Sequence, residues 1–327
     1  MGGSLLFRHD RFLTRQASDW ETIYGTYLYP LRAFDDDGQI SLDYLIEIIY
    51  KVVVDDTEVM ITRGGGLFIR PPQYLPDLYR DVPGPGSALR RGEAVAKFKE
   101  RATDTFNKLV CELTLHGVVS EPASPALIGY GKLIEDRALI VSAEVGRETY
   151  FDRLTLTSIA LQHKVANFPG WLNVHPQQIL RDAAGLNCVN SVARLAPAAS
   201  ALVAGAYAAY SRRQLAEALI DAWIVIEQFL DQAWKEYVAG ITLRKRQEKL
   251  QDPRTYSAAV RAEILHTVGK LSEPLYTSIE KARKHRNDLA HGARISLSNT
   301  RDAVNALHSV LERVCNRTVA HPAPWVP

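Results

Sequence analysis

A dense run of basic and histidine side chains lies near the end of the chain, at residues 281–292 (KARKHRNDLAHG). Histidine exchanges protons near neutral pH, so it can act as a general acid or a general base. Arginine stays charged and binds phosphate oxygens through a planar fork of donors. Arg286, Asn287 and His291 stand out in this run because together they could act on a phosphodiester.

Cleavage of RNA by its own 2′-hydroxyl is a reaction that these side-chain types could catalyse without a metal ion. The reaction needs a base for the 2′-hydroxyl, an acid for the leaving 5′-oxygen and a cation for the charged phosphorane. His291 and Arg286 would supply a proton-transfer group and the cation, and Asn287 would position the phosphate or the histidine. One His–Arg pair is too few for all three roles, so we expect two copies that face each other across a two-fold axis.

The spacing of Arg286 and His291 sets a condition on the helix that carries them. Five residues of helix turn by about 500°, which leaves the two side chains about 140° apart. They can converge only if the helix ends near His291 or if Arg286 reaches around it. Gly292 favours a helix end here, because glycine commonly follows the last helical residue.

Residues 286–291 (RNDLAH) resemble the motif of HEPN domains, in which four to six residues separate Arg from His and a polar residue often follows the Arg. The segment precedes the last predicted helix, and an earlier acidic and apolar helix around Glu227 is also similar to this family. The resemblance covers about residues 191–318. It implies a helical bundle that acts as a metal-independent endoribonuclease, works as a dimer, and in many prokaryotic members is a toxin or an abortive-infection effector.

Two other pairs fit the same spacing: Arg261 with His266, and Arg301 with His308. With 27 Arg and 9 His, about two chance matches are expected in a chain of this length. Arg261 is followed by Ala, and His308 falls within a regular amphipathic pattern as a surface or edge residue. Context therefore favours residues 286–291, where Asn follows the Arg and basic residues surround the predicted helix end.

Supporting residues follow from the same resemblance. Glu227 could hold Arg286 or His291, and Asp288 lies within the motif. We expect His285 to be a solvated neighbour rather than a second catalyst. Five residues near the motif are expected to contact RNA: Lys281, Arg283, Lys284, His285 and Arg294.

Structural interpretations of the same residues stay open. His291 could be a helix C-terminal residue that interacts with the helix dipole before a glycine cap. Glu227 could be an ordinary half-buried helix residue, because Trp223, Leu230 and Trp234 surround it at helical spacing.

Helical periodicity dominates the chain beyond about residue 190 and predicts an antiparallel bundle of four or five helices. The charged segment at 243–250 (LRKRQEKL) indicates a short helix or a loop, and Gly240 and Gly292 are plausible helix ends. The predicted helices span residues 191–209, 212–238, 256–268, 275–290 and 299–314.

Residues 1–190 have a mixed pattern that predicts an α+β domain, whose role could be sensing, regulation or RNA positioning. Residues 42–54 and 58–70 indicate strands, residues 92–116 a helix, and residues 118–145 further strands. The glycines at 64–66 lack the GxxxxGK[ST] pattern, so a flexible turn is favoured over a phosphate loop. A Pro-rich tail at 319–327 completes the predicted organisation.

Composition bounds the function classes. A content of 46% hydrophobic and 23% charged residues is typical of a globular protein. Residues 191–327 carry 19 Lys+Arg and 13 Asp+Glu, which suits a polyanionic partner such as RNA. Three widely spaced cysteines indicate a reducing cytosol and argue against a zinc site built on cysteine. No secretory signal or membrane-spanning run is recognised, so we expect a soluble, cytoplasmic protein without membrane contact.

Three functions compete at this point. The first is a HEPN-type endoribonuclease without a cofactor or metal, a homodimer or higher even oligomer that an antitoxin or another regulatory partner could control. The second is a non-catalytic HEPN module that binds RNA or dimerises within a larger complex. The third, a nucleotide-dependent enzyme, is disfavoured because the phosphate loop and paired metal carboxylates are missing.

Overall fold

The computed structural model describes residues 21–27, 31–32, 46–71, 87–142, 172–173, 187–252 and 255–321. In these residues an antiparallel sheet comes first and a helical region follows, as the sequence predicts. Several predictions lie wholly or partly outside the described residues: those for the start of the chain, for residues 42–45 and 143–145 of the predicted strands, and for the tail beyond His321.

Six strands form a curled antiparallel sheet with the spatial order β3-β4-β5-β1-β6-β7. A separate pair of short parallel strands joins β2 to β8. The strands are β1 (Glu21–Tyr27), β2 (Leu31–Arg32), β3 (Ile48–Val54), β4 (Thr57–Thr62), β5 (Gly66–Ile69), β6 (Gly129–Ile134), β7 (Arg137–Ser142) and β8 (Leu172–Asn173).

Tight turns with left-handed backbone connect the hairpins of this sheet. Asp55 and Asp56, with φ of 48° and 60°, join β3 to β4. Glycine adopts this left-handed conformation most readily, and short polar residues such as aspartate come next. Gly65, with φ of 79°, joins β4 to β5. The prediction of two strands about a glycine turn is therefore confirmed.

The sheet curls until its two outer strands meet. Glu47 forms a bridge with Arg137, and the Ala138 amide donates to the Ile46 carbonyl over 2.9 Å. The inner face buries a small apolar cluster, whereas the outer face packs against the long helix α1 (Ser87–Leu115). The inner cluster comprises Ile23, Met60, Phe68, Leu133 and Ala138.

The helical region agrees closely with the predicted helices, although the Ala-rich segment splits into two. Gly117 ends α1 with φ of 92°, and Gly292 follows α7 with φ of 84°. The helices after α1 are α2 (Asn187–Ala193), α3 (Ala199–Ser211), α4 (Leu215–Ala239), α5 (Arg244–Leu250), α6 (Ala258–Thr267), α7 (Glu273–Ala290) and α8 (Leu297–Cys315).

One continuous apolar core runs from the sheet through α1 into the bundle. Helix α3 is buried almost all round, as its uncharged sequence predicts, and α1, α2 and α4 pack against it. The core crosses the predicted boundary at residue 190, and the division of the chain into domains stays a prediction.

The three cysteines lie far apart in sequence but meet in this core. The Cys315 thiol donates to the Cys188 carbonyl oxygen over 3.9 Å. The fully buried Glu112 accepts the Val189 amide over 2.7 Å and contacts His116 Nε2 over 3.2 Å. Burial raises the pKa of the Cys111 thiol. The contact with Glu112 makes His116 a structural residue.

Among the described residues, no helix combines the length and the apolar character that a membrane span requires.

Candidate functional site

The C-terminal end of α7 carries the motif, and its geometry follows from local sequence. Ser272 precedes the helix, Glu273 lies in its first turn and Pro274 occupies an early position where no amide donor is needed. At the other end, the Ala293 amide donates to the Asp288 carbonyl and the Gly292 amide to the Leu289 carbonyl, both over 2.9 Å. These two backbone hydrogen bonds form a Schellman motif, which fixes where the helix stops.

His291 is the C-cap residue directly after α7 and precedes the left-handed Gly292. The prediction that the helix ends at this histidine is therefore confirmed. The His291 side chain is exposed, and within the described residues its ring has no hydrogen-bond or ion-pair partner. An imidazole in this setting can accept or donate a proton without first breaking an internal contact.

Arg286 and Asn287 form a pair one turn earlier. The Arg286 guanidinium donates to Asn287 Oδ1 over 3.1 Å, and both side chains are half-buried. In the part of the chain that the structure describes, no carboxylate neutralises Arg286, so its charge is available to an anion. Asp288 is exposed and makes no side-chain bond to Arg286 or His291 among the described residues.

The side chains of Arg286 and His291 do not bond to each other within this chain, as far as the described residues extend. The His291 amide donates to the Asn287 carbonyl over 3.0 Å, and this backbone bond connects the histidine to the Arg286–Asn287 pair. A phosphate or a second copy of the site would have to lie between the two side chains for them to act together.

His285 has a different position from the one that its sequence context indicates. Its side chain is only 15% exposed and lies between α7 and α8 rather than in solvent. Its Nε2 lies 3.3 Å from Asp302 Oδ2, and its Nδ1 lies 3.0 Å from Asn299 Nδ2. The expectation of a solvated neighbour is wrong, because α8 supplies two polar partners that cover the ring.

The backbone around Ser296 determines which ring nitrogen of His285 carries the proton. Asn299 Oδ1 accepts the Ser296 amide over 3.0 Å as part of a capping box. That bond orients the Asn299 NH₂ group towards His285 Nδ1, which must therefore accept. The Nε2 of His285 then points at Asp302, so the ring joins α7 to α8 through both of its nitrogens.

The remaining predicted RNA contacts fall into two groups. Lys281, Lys284 and Arg294 are exposed and have no acidic partner among the described residues. Arg283 instead forms a two-pronged ion pair with Glu280, with distances of 3.0 Å from Nε and 2.8 Å from Nη2. The hydrogen bond to Glu280 raises the pKa of Arg283, so this guanidinium is committed to its own helix.

Glu227 is half-buried on α4, and no hydrogen bond or ion pair joins it to Arg286 or His291 within the described residues. Leu215, at the start of α4, is close to the motif end of the bundle, because its carbonyl accepts the Thr300 hydroxyl over 3.1 Å. Glu227 lies twelve residues, or about 18 Å of helix rise, further along. Its supporting role stays a prediction that this geometry does not favour.

The two alternative Arg–His pairs are engaged in the fold. Arg261 forms an ion pair with Asp231, and His266 stacks on the Tyr276 ring at 4.6 Å with its Nε2 3.0 Å from Glu273. His308 is half-buried rather than at the surface, because its Nδ1 lies 3.4 Å from the Tyr207 hydroxyl. Burial and the nearby His321 lower the pKa of His308. Of the three matched histidines, only His291 has a free ring.

Two residues that sequence reasoning missed are Asn299 and Asp302, which clamp His285 and so position the start of α8 against the motif. The spacing of Ser296 and Asn299 was a usable signal, because a polar residue three positions after a Ser often completes a helix cap. Within the described residues, no group of three or more His, Cys, Asp or Glu side chains is arranged to hold a metal ion.

Comparisons with family models, with curated proteins and with solved structures find no match to this chain. The evidence for a function therefore lies in the geometry of the α7–α8 corner, where the end of α7 meets the start of α8.

Proposed function

We propose that this chain is a metal-independent, cytoplasmic endoribonuclease of HEPN type. The observation that supports this proposal best is the exposed imidazole of His291, which has no partner among the described residues. It lies five positions after Arg286, whose charge no carboxylate of the described residues neutralises. Lys281, Lys284 and Arg294 lie near the pair in the chain, have no acidic partner in the described part of the structure, and favour a polyanion. An antiviral effector or a toxin is the biological role that the resemblance implies.

The proposed reaction is an internal transesterification. His291 takes the proton of the 2′-hydroxyl, whose oxygen forms a bond to phosphorus, and the bond from phosphorus to the 5′-oxygen breaks. The leaving 5′-oxygen receives a proton from a second acid, and the product ends in a 2′,3′-cyclic phosphate. Arg286 stabilises the charge on the phosphorane, and its bond to Asn287 fixes the plane of the guanidinium.

A second copy of the site would supply the second proton-transfer group. One chain presents a single free imidazole at this corner, whereas the reaction needs both a base and an acid. We therefore propose that two chains pair with their α7–α8 corners facing each other, as a homodimer or within a higher even oligomer. Sedimentation of the purified protein tests this, and a fully active monomer would contradict it.

Cleavage of single-stranded RNA in the presence of EDTA tests the chemistry. We expect products with a 2′,3′-cyclic phosphate from the wild-type protein and a large loss of rate in Arg286→Ala. Arg301→Ala is the matched control, because it removes an exposed arginine of a rejected Arg–His pair. Strict dependence on magnesium or manganese, or equal loss in both variants, would contradict the proposal.

A non-catalytic RNA-binding or dimerisation module is the second candidate. The lack of a side-chain bond between Arg286 and His291 in the described residues favours it, since a binding surface needs no convergence. RNA that is bound with high affinity and recovered intact after prolonged incubation with the wild-type protein would establish this alternative.

A further inference from the structure

Helix α5 presents three cations that no internal partner neutralises. Lys245, Arg246 and Lys249 are exposed, and within the described residues none of them has an ion-pair partner. Arg244 on the same helix differs, because its Nε lies 3.1 Å from Glu248. We call Lys245, Arg246 and Lys249 the α5 basic face.

The three side chains lie within one arc of about 100° on the helix surface. At about 100° per residue, Lys249 lies about 40° from Lys245 around the helix axis, and Arg246 lies about 100° from Lys245. Like charges one turn apart destabilise a helix that has no counter-charge. An anion that binds across this face would remove that repulsion.

Two part-buried hydrogen bonds connect α5 to the residues beside it. The Trp234 indole donates to the Leu250 carbonyl over 2.9 Å, and Gln247 Nε2 donates to the Ile241 carbonyl over 2.6 Å. The Trp234 ring packs on Tyr256 with centroids 5.3 Å apart. The bond from Trp234 therefore ties the last residue of α5 to α4, which places the basic face at this end of the bundle.

The basic face lies at the opposite end of α4 from the motif. The carbonyl of Leu215, the first residue of α4, accepts the Thr300 hydroxyl beside the motif corner, whereas Trp234 contacts the last residue of α5. The nineteen residues between Leu215 and Trp234 correspond to roughly 30 Å of helix. A ligand that reaches both places must be long.

We propose that the α5 basic face binds backbone phosphates of a single-stranded RNA whose scissile bond lies at Arg286 and His291. This inference rests on the proposed function and adds a second contact that selects long RNA over short RNA. A membrane surface fits less well, because Leu250 is the one apolar residue of α5. Beside this helix, among the described residues, Leu243 alone exposes a large apolar side chain.

RNA binding by the full-length protein, followed by fluorescence anisotropy over a range of salt concentrations, tests this proposal. The His291→Ala background prevents cleavage during the measurement. In that background, Lys245→Ala/Lys249→Ala should weaken binding of a long unstructured RNA by about tenfold and reduce the slope of log affinity against log salt by about 1.4. The reduction corresponds to two lost phosphate contacts on a single strand.

The matched control is Lys97→Ala/Arg101→Ala, which removes two exposed cations with the same spacing on α1. Affinity and salt slope should stay at their starting values in this variant. A dinucleotide is too short to span the distance between α5 and the motif. In the protein that retains His291, its rate of cleavage should therefore be the same with and without the α5 substitutions. Circular dichroism confirms that each variant is folded.

Three results would overturn the proposal: unchanged RNA affinity in the α5 variant, an equal loss in the α1 control, or a loss of binding to phosphatidylserine vesicles with RNA binding intact. The binding measurement does not need cleavage. A wild-type protein that binds RNA through α5 but never cuts it would contradict the proposed function and leave the α5 contact standing.

Discussion

Two corners of the helical region carry the same spacing of Arg and His and give the two residues opposite surroundings. At the α6–α7 corner, Arg261 is paired with Asp231, and His266 is held by Glu273 and by the Tyr276 ring. At the α7–α8 corner, His291 is exposed and unpartnered within the described residues. Both corners are followed by a glycine with positive φ, Gly269 or Gly292.

The difference shows that spacing alone does not decide the use of a residue pair. Neighbouring helices supply acidic and aromatic partners to the first corner and leave the histidine of the second free. Side chains that are satisfied internally contribute to stability, whereas unsatisfied side chains are available to a ligand. Substitutions at the two corners should therefore affect different measurements.

The largest expected effect is on catalysis at the α7–α8 corner. His291→Ala should reduce the rate of RNA cleavage by about 10²–10⁴-fold, because it removes a proton-transfer group. Its free energy of unfolding should match that of the wild type, since the ring has no partner among the described residues. A folded His291→Ala protein that cuts RNA at the wild-type rate would disprove the assignment.

A loss of stability is expected at the α6–α7 corner. Arg261→Ala should lower the free energy of unfolding by about 2 kcal/mol, because it leaves Asp231 without its ion-pair partner. Urea denaturation measures this loss, and Arg286→Ala provides the comparison with a much smaller expected change. A larger loss of stability in Arg286→Ala than in Arg261→Ala would reverse our reading of the two corners.

His266→Ala should lower the free energy of unfolding by about 1 kcal/mol through loss of the Tyr276 stack and the Glu273 contact. The rate of RNA cleavage should stay near that of the wild type below the unfolding temperature. Loss of cleavage in this variant, with circular dichroism unchanged, would mean that the catalytic pair lies at the α6–α7 corner.

The smallest effect concerns Tyr276, whose hydroxyl donates to Glu263. That hydrogen bond raises the pKa of Tyr276 to about 12. Tyr276→Phe should lower the free energy of unfolding by about 0.5 kcal/mol at neutral pH. A raised folded pKa gives a contribution that is complete below pH of about 10 and is lost as the pH rises through about 12. The difference from the wild type in denaturation experiments should narrow over that range.

Sequence alone predicted the features that depend on neighbours in the chain. Gly292 indicated where α7 stops, and the glycine run around Gly65 indicated a turn between two strands, because both are local backbone requirements. The partners of His285 could not be predicted in this way, since Asn299 and Asp302 reach it only after α7 and α8 pack together. The same holds for Asp231, which meets Arg261 across two helices.

The spatial order of the strands was also beyond the sequence pattern. Strand β1 lies between β5 and β6 in the middle of the sheet, although it comes first in the chain. Alternation of apolar residues assigns faces to a strand but does not name its neighbours. The meeting of Cys188 and Cys315 depends in the same way on long-range packing of α2 against α8.

The nearly complete burial of α3 limits how this protein can be divided for experiments. Helix α3 has no polar side, and α1 covers part of its surface. A fragment that starts at residue 191 would lose α1 and expose that apolar surface to water, which favours aggregation. Recombinant production of residues 191–327 alone should therefore give insoluble material, whereas a fragment that retains α1 keeps the cover of α3.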